Sequence, residues 1–154
     1  MVIMSPTKPR TGRRNAVIGG QLYNWTKSDG TGLSFDSNSL FTLPNGAKRS
    51  PDASWISKKR WRHLSDEERD SFCPICPDFV IELRSASDRL KNLKEKMEEY
   101  IANGARLGWL LDPFNRCAYI YRPNQPPEKV RNPARIGGDP VLPGFDFDFT
   151  EIVE

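Results

Sequence analysis

"PDFVIELRS", residues 77–85, is the stretch on which the fold turns. It has the apolar density of a core strand, yet Glu82 and Arg84 stand at its far end, where an apolar run would simply continue. Side chains alternate along a strand, so Phe79, Ile81 and Leu83 share one face and Asp78, Val80, Glu82 and Arg84 the other. The polar residues are therefore stacked on one face. Either that face meets water and Glu82 pairs locally with Arg84, or the charges are there to do chemistry.

The next segment supplies the clearest helix. In "SASDRLKNLKEKMEEYIANG", residues 85–104, Leu90, Leu93, Met97, Tyr100 and Ile101 line one side and Gly104 ends the run. This predicts a helix over 88–102, with Ser85 and Asp88 resembling a capping box. "GWLLDP" and "CAYIYRP" then read as two strands joined by "FNR". Upstream, "LSFDS", "LFTL" and "ASWIS" read as short strands, and "PNG" (44–46) as a hairpin-grade turn. "KKRWRHLSDEERDSF" (58–72) is a polar helical insert with a serine cap and acids in its first turn. "NAVIGGQLYNWTK" (15–27) places apolar residues at 18, 22 and 25, one helical face, weakened by Gly19 and Gly20. Residues 1–14, with a basic cluster at Lys8, Arg10, Arg13 and Arg14, read as an extended lead-in. Residues 123–154 read as a turn-rich tail in which Phe145, Phe147 and Phe149 alternate as an edge strand. The order is α/β: a helix laid across a mixed sheet, in one domain over 1–154. We expect residues 78–84 to be central, paired with the strand at Asp52, with the 88–102 helix packed on the sheet.

Composition narrows the function classes. The chain has 154 residues, 28% charged and 37% hydrophobic, with a net charge of +3. That permits a nucleic-acid partner without demanding one. No apolar run approaches the roughly 18 residues of a membrane span, and no signal-peptide pattern opens the chain, which favours the cytoplasm. Three cysteines, an odd number, argue against a disulfide framework. "CPIC" (73–76) lacks the second ligand pair of a zinc site, since only Cys117 and His63 remain. It precedes a strand rather than opening a helix, against a redox motif. Trp25, Trp55, Trp61 and Trp109 fall within element patterns and read as core.

Asp52 changes the balance of the first question. It opens a strand just after Pro51, and Glu82 lies in the next long strand with a cation two residues on. Two carboxylates suit magnesium, a hard cation that keeps several waters. A metal held so can activate water and neutralise charge at phosphorus, while a basic side chain steadies the transition state.

"MSPT", "LPNGAKRSPDASWIS", "CPDFVIELRSASDRLKNLKEKMEEYIANGARLGWLLDP" and "VLPGFDFDF" together resemble the Uma-two family, within the PD-(D/E)xK restriction-endonuclease-like superfamily. The resemblance runs from about Met4 to about Ile152 and implies a restriction-endonuclease-like core, a mixed sheet with a helix before and a helix after the central strands. It implies a DNA endonuclease dependent on magnesium or manganese, with Asp52 as the first aspartate and Glu82 as the acid of the (D/E)xK element, both metal ligands. Arg84 stands where the superfamily usually has lysine, and the family's lysine matches Lys96 in the following helix. At about 100° per residue Lys96 lies on one flank of the apolar stripe, where a long stem can run along the core edge. Lys94, on the other flank, is its competitor. Arg84 cannot give up a proton and suits phosphate anchoring instead.

The chain also departs from the family. Members often carry an acid at positions matching Arg10 or Val17, and usually have a segment before "MSPT". Cleavage of both strands implies a homodimer, expected near Phe145–Phe149. The other reading keeps the fold without catalysis, as a module binding nucleic acid or protein.

Overall fold

The computed structural model describes residues 8–153. "MSPT" falls outside them. The first element is a helix, α1 (Pro9–Asp29), so the extended lead-in expected through residue 14 is corrected: the helix opens at Pro9 rather than near Asn15. Proline suits the first helical position, where its fixed φ is already helical and its missing N–H is not needed. Arg14, Ile18, Leu22 and Thr26 are the buried positions, four residues apart on one stripe. Burial of Ile18 and Leu22 gains about 1.5–3 kcal/mol each, enough to offset Gly19 and Gly20. The helix ends at Gly30, left-handed at φ 79°, whose N–H bonds the Thr26 carbonyl.

Four strands follow: β1 (Gly32–Phe35), β2 (Phe41–Thr42), β3 (Lys48–Arg49) and β4 (Ala53–Ser57). The polar insert is two short helices, α2 (Lys58–Trp61) and α3 (Asp66–Arg69), the latter opened by a Ser65–Glu68 capping box. Then come β5 (Phe79–Leu83), α4 (Leu90–Ala102), β6 (Leu107–Asp112), β7 (Cys117–Tyr121) and β8 (Glu128–Arg131). The main sheet has the order β1-β4-β5-β6-β7-β8, with β5 and β6 parallel and every other pair antiparallel. As expected, 79–83 is central and pairs with the strand that Asp52 leads into. Helix α4 is the crossover between β5 and β6.

Both faces of β5 are buried, so a half-exposed strand is ruled out. Phe79, Ile81 and Leu83 join Ile18 and Leu22 of α1, Trp109, and the tail. Val80 packs under α4 against Leu93, Met97 and Tyr100. A Cβ built on Gly108 would stand 2.7 Å from the Met97 methyl, so a side chain there would have to displace the end of Met97 under α4. The Ser85–Asp88 capping box is corrected too. The helix begins at Leu90, and Asp88 instead accepts from the Ser85 N–H and hydroxyl, 2.9 and 2.8 Å, folding the approach.

The tail is more ordered than its turn-rich sequence suggests. β9 (Arg135–Gly137) pairs with β10 (Asp146–Asp148), and a 3-10 turn spans Phe149–Ile152. Phe145, Phe147 and Phe149 are 3%, 0% and 0% exposed, and Phe145 stacks on Trp109 at 5.6 Å. Their alternation marks an inward face, so these rings close the core and do not offer the dimer surface expected of them. Among the described residues no helix is long and apolar enough to cross a membrane.

Candidate active site

Pairing between β4 and β5 runs only to Ala53↔Ile81, which leaves the Leu83 N–H beyond that ladder. A buried N–H needs a partner. The Asp52 carboxylate supplies it, Oδ2 accepting at 2.7 Å, so the residue ahead of β4 is tied to the end of β5. Glu82 lies there, 4% exposed, on the α4 side of the sheet. Helix α4 reaches it with two side chains four residues apart. Tyr100, fully buried, donates its hydroxyl to Glu82 Oε1 at 2.9 Å, and Lys96 Nζ stands 3.8 Å from Oε2.

The electrostatics of this cluster are unbalanced. Burial, and then the charge of Asp52, push Glu82 up to about 8, against the pull of Lys96 and the Tyr100 hydroxyl. Burial also raises Asp52, although the Leu83 N–H, Lys96 and a hydrogen bond with Glu82 favour its ionised form. Asp88 adds further negative charge to both. Burial and the neighbouring Glu82 raise Tyr100, which therefore stays protonated and donating. One ammonium, 3.8 Å from Glu82, does not offset the buried Glu82 carboxylate and the half-buried Asp52 beside it. Hard oxygen donors short of positive charge fit a divalent cation. Among the described residues no three His, Cys, Asp or Glu side chains lie together as a metal cluster.

The structure thus brings Asp52, Glu82 and Lys96 together. Arg84 does not pair with Glu82: its guanidinium bonds Asp112 at 2.9 Å and its side chain stays 23% exposed. Lys94 lies over the Tyr119 ring at 4.5 Å, off the carboxylates. Arg10 and Val17, where family members often carry an acid, lie on α1, whose first turn has none. Tyr100 is the residue that sequence reasoning missed, being taken for core alone. Its signal was present: a phenol on the buried stripe, four residues after Lys96, needs a hydrogen-bond acceptor. Cys73, Cys76 and Cys117 are free and buried, Cys76 pushed to about 11 by burial. Trp55 and Trp109 are core, 3% and 0% exposed.

The fold defines the class, a restriction-endonuclease-like α/β protein. The family model Uma2, described as "Putative restriction endonuclease", matches residues 1–150, and the chain belongs to that family. A crystal structure of a "putative nuclease belonging to DUF820" from Anabaena variabilis ATCC 29413 has the same fold, with a TM-score of 0.82. It is 18% identical over 98% of this chain and 84% of that one. A DrdV–DNA complex solved by cryoEM is similar at TM-score 0.49 and 16% identity, over 80% of this chain and 10% of that one. No curated protein matches the sequence.

Proposed function

We propose that this protein is a metal-dependent DNA endonuclease whose site is Asp52, Glu82 and Lys96. The observation that carries this reading is the convergence of the buried Glu82, the half-buried Asp52 and one lysine at the end of β5, with too little positive charge to balance the carboxylates. Magnesium or manganese, when bound, supplies an acidified water and charge neutralisation at phosphorus. Asp52 and Glu82 would hold it. Glu82 would hold the cation as a carboxylate, its Oε1 fixed by the Tyr100 hydroxyl. Lys96 offsets charge developing on the scissile phosphate or holds the attacking water. Arg84, permanently charged and braced by Asp112, anchors a phosphate. Cutting both strands takes two sites, which a two-fold dimer provides. The cytoplasm is the location this reading implies.

A second reading has one observation in its favour. Without an acid in the first turn of α1 the donor set is small, as suits a non-catalytic module of this fold that binds nucleic acid or protein. Supercoiled plasmid incubated with magnesium, with manganese and with chelator separates the two. We expect nicked and linear DNA only with metal, from wild type and not from Glu82→Gln. Intact plasmid under every condition, with DNA still retained, would leave the binding module standing.

A further inference from the structure

The turn from β6 to β7 carries chemistry that the carboxylate site does not use. Asp112, 0% exposed, clamps it: Oδ1 accepts from the N–H groups of Phe114 and Asn115 at 3.1 and 3.2 Å. Its Oδ2 accepts from the Asn115 amide and the Arg84 guanidinium, both at 2.9 Å. A turn held at four points by one buried carboxylate has little freedom. At its tip Phe114 is 47% exposed. One face of its ring is backed by the guanidinium of the buried Arg14, 5.3 Å from the centroid. The backbone is fixed by Asp112 and the ring by Arg14, so an apolar face is held rigidly in water.

The position of this turn gives it a partner. β6 runs parallel to β5 with Leu83 opposite Leu111, and the Arg84 N–H bonds the Leu111 carbonyl at 2.9 Å. The turn therefore leaves the sheet at the end where Glu82 lies. Arg84, two residues beyond Glu82, is itself one of its clamps. Arg116, left-handed at φ 50°, closes the turn with its side chain exposed, and Arg131, opposite Cys117 on β8, is exposed beside it. An aromatic face among guanidiniums at one rim matches a polyanion that also carries flat apolar rings.

We infer that Phe114 is a stacking platform for an unpaired base of a DNA strand lying across the carboxylate site, with Arg84 and Arg116 on its phosphates. The inference rests on the nuclease reading and adds a contact to the substrate itself. Stacking on an aromatic side chain tolerates any base, because each has a π-face. A ring already held in place loses little freedom on binding.

Fluorescence anisotropy of the full chain in chelator, with one labelled oligonucleotide single-stranded and as a duplex, tests it where nothing is cut. Phe114→Ala is expected to weaken single-strand binding about tenfold, to change duplex binding far less, and to leave the salt slope unaltered. Phe114→Leu keeps apolar bulk against Arg14 and should show the same loss, whereas Phe114→Trp should restore affinity and show indole quenching on binding. Arg116→Ala should weaken both forms alike and flatten the salt slope. If wild type cuts plasmid while Phe114→Ala and Phe114→Leu bind single strands like wild type, the platform is refuted and the nuclease reading stands. Binding of RNA alone, or of no nucleic acid, refutes the platform as well.

Discussion

Glu82 and Asp112 are buried carboxylates at the same end of adjacent parallel strands, and their surroundings differ completely. Asp112 accepts four hydrogen bonds, one from a guanidinium. Burial pushes its pKa up, but the bonds from Asn115 and Arg84 outweigh this and hold it below the usual carboxylate range. Glu82 has one phenol, an ammonium at 3.8 Å and a facing carboxylate, and is pushed up to about 8. A carboxylate buried for architecture is neutralised where it sits. One left short of positive charge is suited to receive it from elsewhere. Asp78 extends the comparison along β5's own face: 1% exposed, it accepts the Ser57 N–H at 2.9 Å and faces Arg60 at 3.0 Å.

The largest expected effect concerns activity. Glu82→Gln should abolish cleavage and remove the rise in melting temperature that magnesium or manganese gives wild type. At 100 times the dissociation constant that rise corresponds to about 2.7 kcal/mol, read in a thermal melt with and without metal. The fold should survive, because Gln can still accept from Tyr100. A wild-type melting temperature indifferent to both metals, with a destabilised Glu82→Gln, would make Glu82 another Asp112 and end the nuclease reading.

Asp112→Ala should do the reverse and act on stability. It strands Arg84 and unties the turn, at a cost of about 3 kcal/mol, since Arg84 keeps some water. For a chain of this size that lowers the melting temperature by about 10 °C. A loss below about 1 kcal/mol would mean that the four bonds contribute little and the contrast with Glu82 is overdrawn.

The two groups also oppose each other in pH. Glu82 holds its proton more tightly folded than unfolded, so between pH 4.5 and about 8 the metal-free fold loses stability as pH rises. Below 4.5 both states are protonated, and above about 8 the whole cost is present. Its size is of the order of a few kcal/mol, so metal-free Glu82→Gln should melt higher than wild type at pH 8.5 and like it near pH 4.5. Asp112 has the opposite sign: its contribution is present above the ordinary value of 3.8 and fades as pH falls through its lowered pKa. Parallel melting curves for wild type and Glu82→Gln across this range would refute the raised pKa.

How much of this was legible in the sequence depends on whether the partner was local. Alternation in "PDFVIELRS" and the stripe in "LKNLKEKMEEY" give β5, α4 and their packing, because strand and helix periods depend on near neighbours. Asp52, Glu82 and Lys96 were nameable through the family resemblance, and the fold brings them together. The ion-pair partner of Arg84 was not legible, because it is Asp112 on another strand, 28 residues away, and no local pattern marks a carboxylate that will be buried. The start of α1 was missed because Pro9, Thr11 and Gly12 lower the helical propensity of that stretch, and docking on the sheet supplies what propensity lacks. Phe145, Phe147 and Phe149 alternate as an edge strand does, and only tertiary packing shows that their shared face is interior.

The smallest expected effects separate the residues of α4, where geometry distinguishes side chains that composition does not. Lys94 and Lys96 are two residues apart, yet Lys96 approaches Glu82 while Lys94 lies on the Tyr119 ring. Lys96→Ala should reduce cleavage by about 10²–10³-fold, the usual loss of one electrostatic stabiliser, and Lys94→Ala should leave the rate within about twofold, a cation–π contact being worth about 0.5–1 kcal/mol of stability at most. Tyr100→Phe falls between them. It removes one hydrogen bond from Glu82 Oε1, about 1 kcal/mol, and keeps the ring that packs under α4. Loss of orientation at a ligand should then appear as weaker metal affinity, about tenfold as for other groups that orient ligands, read from the metal concentration that half-saturates the melting shift. A merely structural tyrosine would lower the melting temperature and leave that midpoint where it is. If Lys94→Ala proves as damaging as Lys96→Ala, the ammonium that serves the site is not the one nearest Glu82, and α4 must turn on its axis when DNA and metal are bound.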